Sequence, residues 1–153
     1  MASALAPASE DLAAQDAAAW DDLPGWRALL QRHEVLFAPW IEGGAVGLVT
    51  RAAADAGAGR MLVWTRVQGE MQVQWRDYRG FAEAGVAVLF VAQPGALAAV
   101  HQRLHDNALG QMKLQLRQGG MLLYVLVAKA QLLDEGYEDF LESLGLAFMG
   151  ACR

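Results

Sequence analysis

The sequence predicts an α+β domain in which an antiparallel sheet is packed with helices. Three observations predict it: apolar residues at helical spacing at both ends and in the middle, strand-length apolar runs between them, and glycine-bearing turns where those runs meet. A chain of 153 residues with 55% hydrophobic content has the size and apolar material of a single domain. We place that domain over residues 23–153 and read residues 1–22 as a flexible or loosely helical N-terminal segment.

Ser9-Glu10-Asp11-Leu12 offers a helix cap, but the apolar side of the run to Trp20 is almost all Ala, which buries little area. Pro24 then starts a short helix whose Trp26, Leu29, Leu30 and His33 share a face. Val35 to Trp40 and Ala45 to Thr50 read as strand pieces broken by Pro39 and Gly43-Gly44, and Arg51 to Gly59 as a loop or one helical turn. Met61 to Val67 and Met71 to Trp75 flank Gln68-Gly69-Glu70 as a hairpin, and Gly85 to Ala92 is a further strand. Pro94-Gly95 opens a helix striped by Leu97, Val100 and Leu104 and ending near Asn107. Met112, Leu114 and Leu116 alternate with polar residues, so with Gly119-Gly120 and Met121 to Val127 they predict a second hairpin. Tyr137 to Met149 closes the chain as a helix, with an interruption allowed at Gly145. The partial echo of Tyr78-Arg79-Gly80-Phe81 in Tyr137-Glu138-Asp139-Phe140 keeps a ferredoxin-like βαββαβ alternative open, with a last strand over residues 146–149.

A net charge of −5 with scattered Arg provides no basic stripe for nucleic acid. The N-terminus lacks a positive region and a cleavage pattern, and no apolar run reaches the roughly 18 residues of a membrane span. Together with the single Cys152, this predicts a cytoplasmic protein without disulfides.

No reaction motif is present. Ser3, Ser9, Ser143, Thr50, Thr65 and Cys152 stand outside any nucleophile context, and the acids from Asp134 to Glu142 read as a solvated helix face. Gly57-Ala58-Gly59-Arg60 lacks the order of a phosphate-binding loop. His101 and His105, four apart on the predicted middle helix, are the one candidate metal pair. They carry the alternative of a metal-binding or small-ligand accessory domain. The main expectation is a non-enzymatic protein-binding module without a cofactor. It rests on Met121 to Val127, which is apolar on both sides and needs covering twice. Leu122, Tyr124 and Leu126 on one side of it, with Trp64, Met71 and Trp75 on neighbouring strands, are the candidate partner-binding residues; Met112 adds a further adaptable side chain.

Leu97 to Asn107, Met112 to Leu116, Gly119-Gly120, Met121 to Val127 and Tyr137 to Met149 also carry a resemblance. In element order and periodicity they resemble the class I type III secretion chaperones of the CesT type and the similarly folded YbjN-like proteins. That resemblance implies a homodimer whose contact includes the middle helix, through Leu97, Val100 and Leu104. It also implies a partner polypeptide held on an apolar sheet face, partly by strand addition. No membrane or nucleic-acid partner is expected.

Overall fold

The computed structural model describes residues 9–146. It is a mixed α+β arrangement around one five-stranded sheet of order β3-β2-β1-β4-β5. Three helices precede the sheet: α1 (Ser9–Asp21), α2 (Leu23–Arg32) and α3 (Glu34–Phe37). Then come β1 (Ala45–Thr50), α4 (Arg51–Ala56), β2 (Gly59–Val67), β3 (Glu70–Tyr78) and β4 (Val88–Ala92). The rest is α5 (Ala96–His101), α6 (Ala108–Gln118), β5 (Met121–Val125), α7 (Lys129–Asp134) and α8 (Glu138–Ser143).

The β2–β3 hairpin is found where the sequence places it. Its two turn residues, Gln68 (φ 53°) and Gly69 (φ 80°), both lie at positive φ, the geometry that matches strand twist. The Glu42 carboxylate accepts from both turn amides.

The sheet, however, is not purely antiparallel, because β1 and β4 run parallel side by side. After Tyr78 the chain crosses back beneath the sheet to start β4 next to β1, laying Ala84 and Val86 over Val49, Met61, Val63, Leu89 and Val91. Ala53 and Ala54 of α4 pack on the same cluster. This segment therefore covers the β1, β2 and β4 part of the second sheet face within the chain, while Phe81 and Tyr124 stay exposed. The first face carries the larger core, in which Val46, Leu48, Leu62, Trp64, Val88 and Phe90 meet residues of α1, α2, α5, α6 and α8.

Four local expectations are corrected. Residues 112–116 are helix: Leu109, Met112 and Leu116 are three and four apart and share the buried side of α6, while Leu114 points outward. Gly119 (φ 84°) ends that helix and β5 pairs with β4, so there is no second hairpin. Val35 to Trp40 is helix and turn, because Phe37 and Trp40 sit one turn apart in the core while Val35 is 79% exposed. Within the N-terminal segment, the end of α1 is docked: Asp16 accepts from Gly95 N (2.8 Å) and Ala98 N (3.2 Å), and Trp20 is buried. The order of elements is not βαββαβ; residues 147–149 of that alternative strand lie outside the described residues.

Tyr137 ties the start of α8 to β1. Its phenol oxygen accepts from Ala45 N at 2.8 Å in a buried site. Tyr137→Phe leaves that amide without its acceptor and is expected to cost about 1–3 kcal/mol, read from the denaturant midpoint. Burial also pushes the phenol above its ordinary 10.0. Stability tied to the neutral phenol is therefore complete below about pH 10 and lost as pH rises through the raised value, and the Phe variant loses less there.

Candidate binding cleft

Parallel β1 and β4 leave the sheet in opposite directions at their carboxyl ends. After Thr50 the chain turns through α4 to β2, and after Ala92 it turns through α5 and α6 towards β5. Such a divergence opens a crevice where ligands are commonly bound in open sheets. Here it is an open cleft of about 660 Å³. Ala52, Ala53, Ala58, Gly59, Ala92 and Pro94 give it a small-residue floor, and Trp20 and Trp75 form its aromatic wall.

The wall is built from distant parts of the sequence. Trp20 of α1 lies 5.7 Å from Trp75 of β3, centroid to centroid, and the Arg60 guanidinium sits 4.1 Å over the Trp75 ring. Asp21 faces Arg60 at 3.7 Å, with both side chains well exposed. Asp16 is spent on the amides that open α5, and Arg51 on Asp55 at 3.0 Å. The Trp20 indole N–H is buried without an acceptor among the described residues. The cleft therefore offers aromatic surface and a stacked cation, with its other charges already paired.

No protein-family model matches the chain, and no curated protein matches it. Among solved structures it is similar to the conserved hypothetical protein TT1886 of Thermus thermophilus, for which a sterol-carrier role is suggested. The identity is 19%, each chain is covered over 84%, and the TM-score is 0.44.

The residues expected to bind a partner fall in three places. Trp75 lines the cleft, whereas Trp64 is fully buried and Met71 nearly so, both within the core of the helix-covered face. There they pack against the core of the single chain. Leu122 and Leu126 pack partly into the second-face cluster, while Tyr124 stacks on Phe81 at 4.9 Å and stays 37% exposed. Leu97, Val100 and Leu104 are also buried inside the chain. α5 packs on α1, and Arg32 donates to the Leu104 carbonyl, so this stripe serves the protomer's own core.

His101 and His105 are not one turn apart on a helix, because α5 ends at His101. His101 Nε2 instead meets Asp22 Oδ2 at 2.8 Å, while the other oxygen of Asp22 caps α2 through Gly25 N at 3.0 Å. The bond to His101 holds the Asp22 carboxyl below its usual 3.8. Among the described residues no three His, Cys, Asp or Glu side chains are placed to share a metal ion. Thr50, Thr65 and Ser143 use their hydroxyls on backbone groups. The side chains of Ser3 and Ser9, and Cys152, lie outside what is described. No described helix is long and apolar enough to cross a membrane.

Trp20 and Arg60 are the cleft residues that sequence reading missed. The available signal was Trp20 itself, the one large side chain ending a run of Ala.

Proposed function

We propose that the chain is a non-enzymatic binding module that holds an apolar segment of a partner polypeptide in the cleft between α1 and β3. The observation that carries this reading is the Trp20–Trp75 wall, capped by Arg60 and standing above a floor of small residues. The cleft is open to solvent, which suits side chains presented by a chain passing across it. Small-molecule sites bury most of their ligand, and this one has no closing element over it among the described residues. Aromatic-lined grooves take extended segments, and Pro-rich ones dock at the lowest ordering cost because their conformation is preformed.

A wider reading goes with it: a small acidic cytoplasmic protein of the CesT-type chaperone or YbjN-like kind. Its net charge of −5 and single-domain size support that reading, as does the resemblance carried by residues 97–107 and 121–127. The partner's position differs from the one that resemblance implies. The helix-covered face holds its own core and the β3–β4 crossover packs on part of the second face, so the reading places the partner in the cleft.

Peptides selected by phage display on the full chain test it, with binding read from quenching of tryptophan fluorescence. Apolar peptides are expected to bind, and Trp75→Ala is expected to weaken them at least ~10-fold, the effect of removing an aromatic anchor. The reading fails if selected peptides bind Trp75→Ala as tightly as the wild type. It fails equally if the naphthalene dye 1-anilinonaphthalene-8-sulfonate enters the cleft while no peptide does, which would mark a small-molecule site.

A further inference from the structure

We infer that two copies of this chain join edge to edge through β5, antiparallel about Leu123, into one sheet continuous across both protomers. The argument is independent of the cleft and starts from the contrast between the two edges of the sheet. β3, at one edge, carries Glu70, Arg76 and Asp77, the kind of charge that keeps an edge from pairing. β5, at the other edge, carries none: from Gly119 to Ala128 there is no charged residue and no proline. The strand itself reads Met-Leu-Leu-Tyr-Val.

The backbone register shows what this edge offers. Gln93 N donates to Gly120 O and Leu126 N to Ala87 O, so the even-numbered residues of β5 bond to β4. The N–H and C=O groups of Met121, Leu123 and Val125 therefore point away from the sheet. A two-fold axis at Leu123 sets Met121 opposite Val125 of the second copy and Leu123 opposite itself. Every outward donor then meets an outward acceptor.

The side chains are self-complementary in the same register. On the helix-covered face Leu123 meets Leu123 and Met121 meets Val125, which is 39% exposed in the single chain. On the second face Leu122 meets Tyr124, with Phe81, 44% exposed, stacked beside it. Each copy carries a net charge of −5, so like-charge repulsion favours contact at an uncharged surface. These features select a second copy over a charged partner.

Light scattering coupled to size exclusion, with a dilution series, is expected to give twice the 16.5 kDa chain mass at high concentration. Amide exchange under the same conditions is expected to slow at Met121, Leu123 and Val125 by at least ~10-fold relative to the dilute chain. Val125→Lys places a charge on an already exposed position and is expected to leave a folded monomer, checked by circular dichroism. Gln72→Lys on the opposite edge is expected to remain dimeric. The inference is overturned by a wild-type chain that stays monomeric at high concentration. A dimer that survives Val125→Lys, or one whose odd-numbered β5 amides exchange as fast as in the dilute chain, overturns it as well.

Discussion

Gly136→Ala is expected to lower the free energy of unfolding by at least about 4 kcal/mol, at the upper end of single-substitution effects. Gly136 sits at φ 88° between α7 and α8, a conformation that costs any residue with a Cβ. It closes α7 in a paired cap: Gly136 N donates to Leu133 O at 3.2 Å and Tyr137 N to Leu132 O at 3.1 Å. The same glycine also lets the α3–β1 segment lie against the turn. A Cβ there would overlap the Pro39 carbonyl oxygen and stand 2.5 Å from Pro39 C and 3.0 Å from Trp40 N. These are backbone atoms, and they are held by the bond from Ile41 N to Glu135 O at 3.1 Å, so they have little room to retreat. Gly57→Ala is the control. It too has positive φ, 65°, but nothing stands within 4 Å of its Cβ position, so only the backbone cost of about 1 kcal/mol is expected. Urea unfolding followed by tryptophan fluorescence separates the two. Equal losses would mean that Pro39 moves aside freely and that the tight approach is not a constraint.

The β2–β3 hairpin was legible because its signals are local: β-forming residues, a two-residue turn with Gly69, and an alternation that survives in the fold. Residues 112–116 misled because spacings of two and of four coincide at Met112 and Leu116. Leu109, three residues before Met112, and Gly119 at the end were the deciding helix signals. That β5 is apolar on both sides was also legible, although the segment that packs beside its Leu122 was not. It arrives from the β3–β4 crossover, whose Ala84 and Val86 have no periodicity of their own. The cleft is less legible still. Its wall needs α1, the start of β2 and the end of β3 to converge, and nothing in the sequence records that Trp20, Arg60 and Trp75 become neighbours. What determines their meeting is the parallel pairing of β1 with β4, a non-local event that also fixes where the first helix can dock.

Phe140→Ala is the other substitution with a large expected effect, about 3–5 kcal/mol. Phe140 is fully buried on α8, and its ring has four aromatic neighbours in the core. Phe37 of α3 lies at 5.3 Å, Trp40 at 5.7 Å, Trp64 of β2 at 6.1 Å and Phe90 of β4 at 6.3 Å, centroid to centroid. Removing the ring forfeits its burial and also leaves a cavity, because these large planar neighbours cannot all collapse into one space. The edge-on contacts to Trp40, Trp64 and Phe90 add a further favourable term that is lost with the ring. Val35→Ala, at a position mostly in solvent, is expected to stay within about 0.5 kcal/mol and sets the baseline. Near-ultraviolet circular dichroism supplies a second readout, since Trp40 and Trp64 lose a fixed neighbour while the Trp20–Trp75 pair keeps its own. If Phe140→Ala also abolished peptide capture in the folded variant, the cleft and the α8 side of the core would be one cooperative unit. Retained capture at a lower melting temperature is the expected result, because none of the four aromatic neighbours of Phe140 lines the cleft.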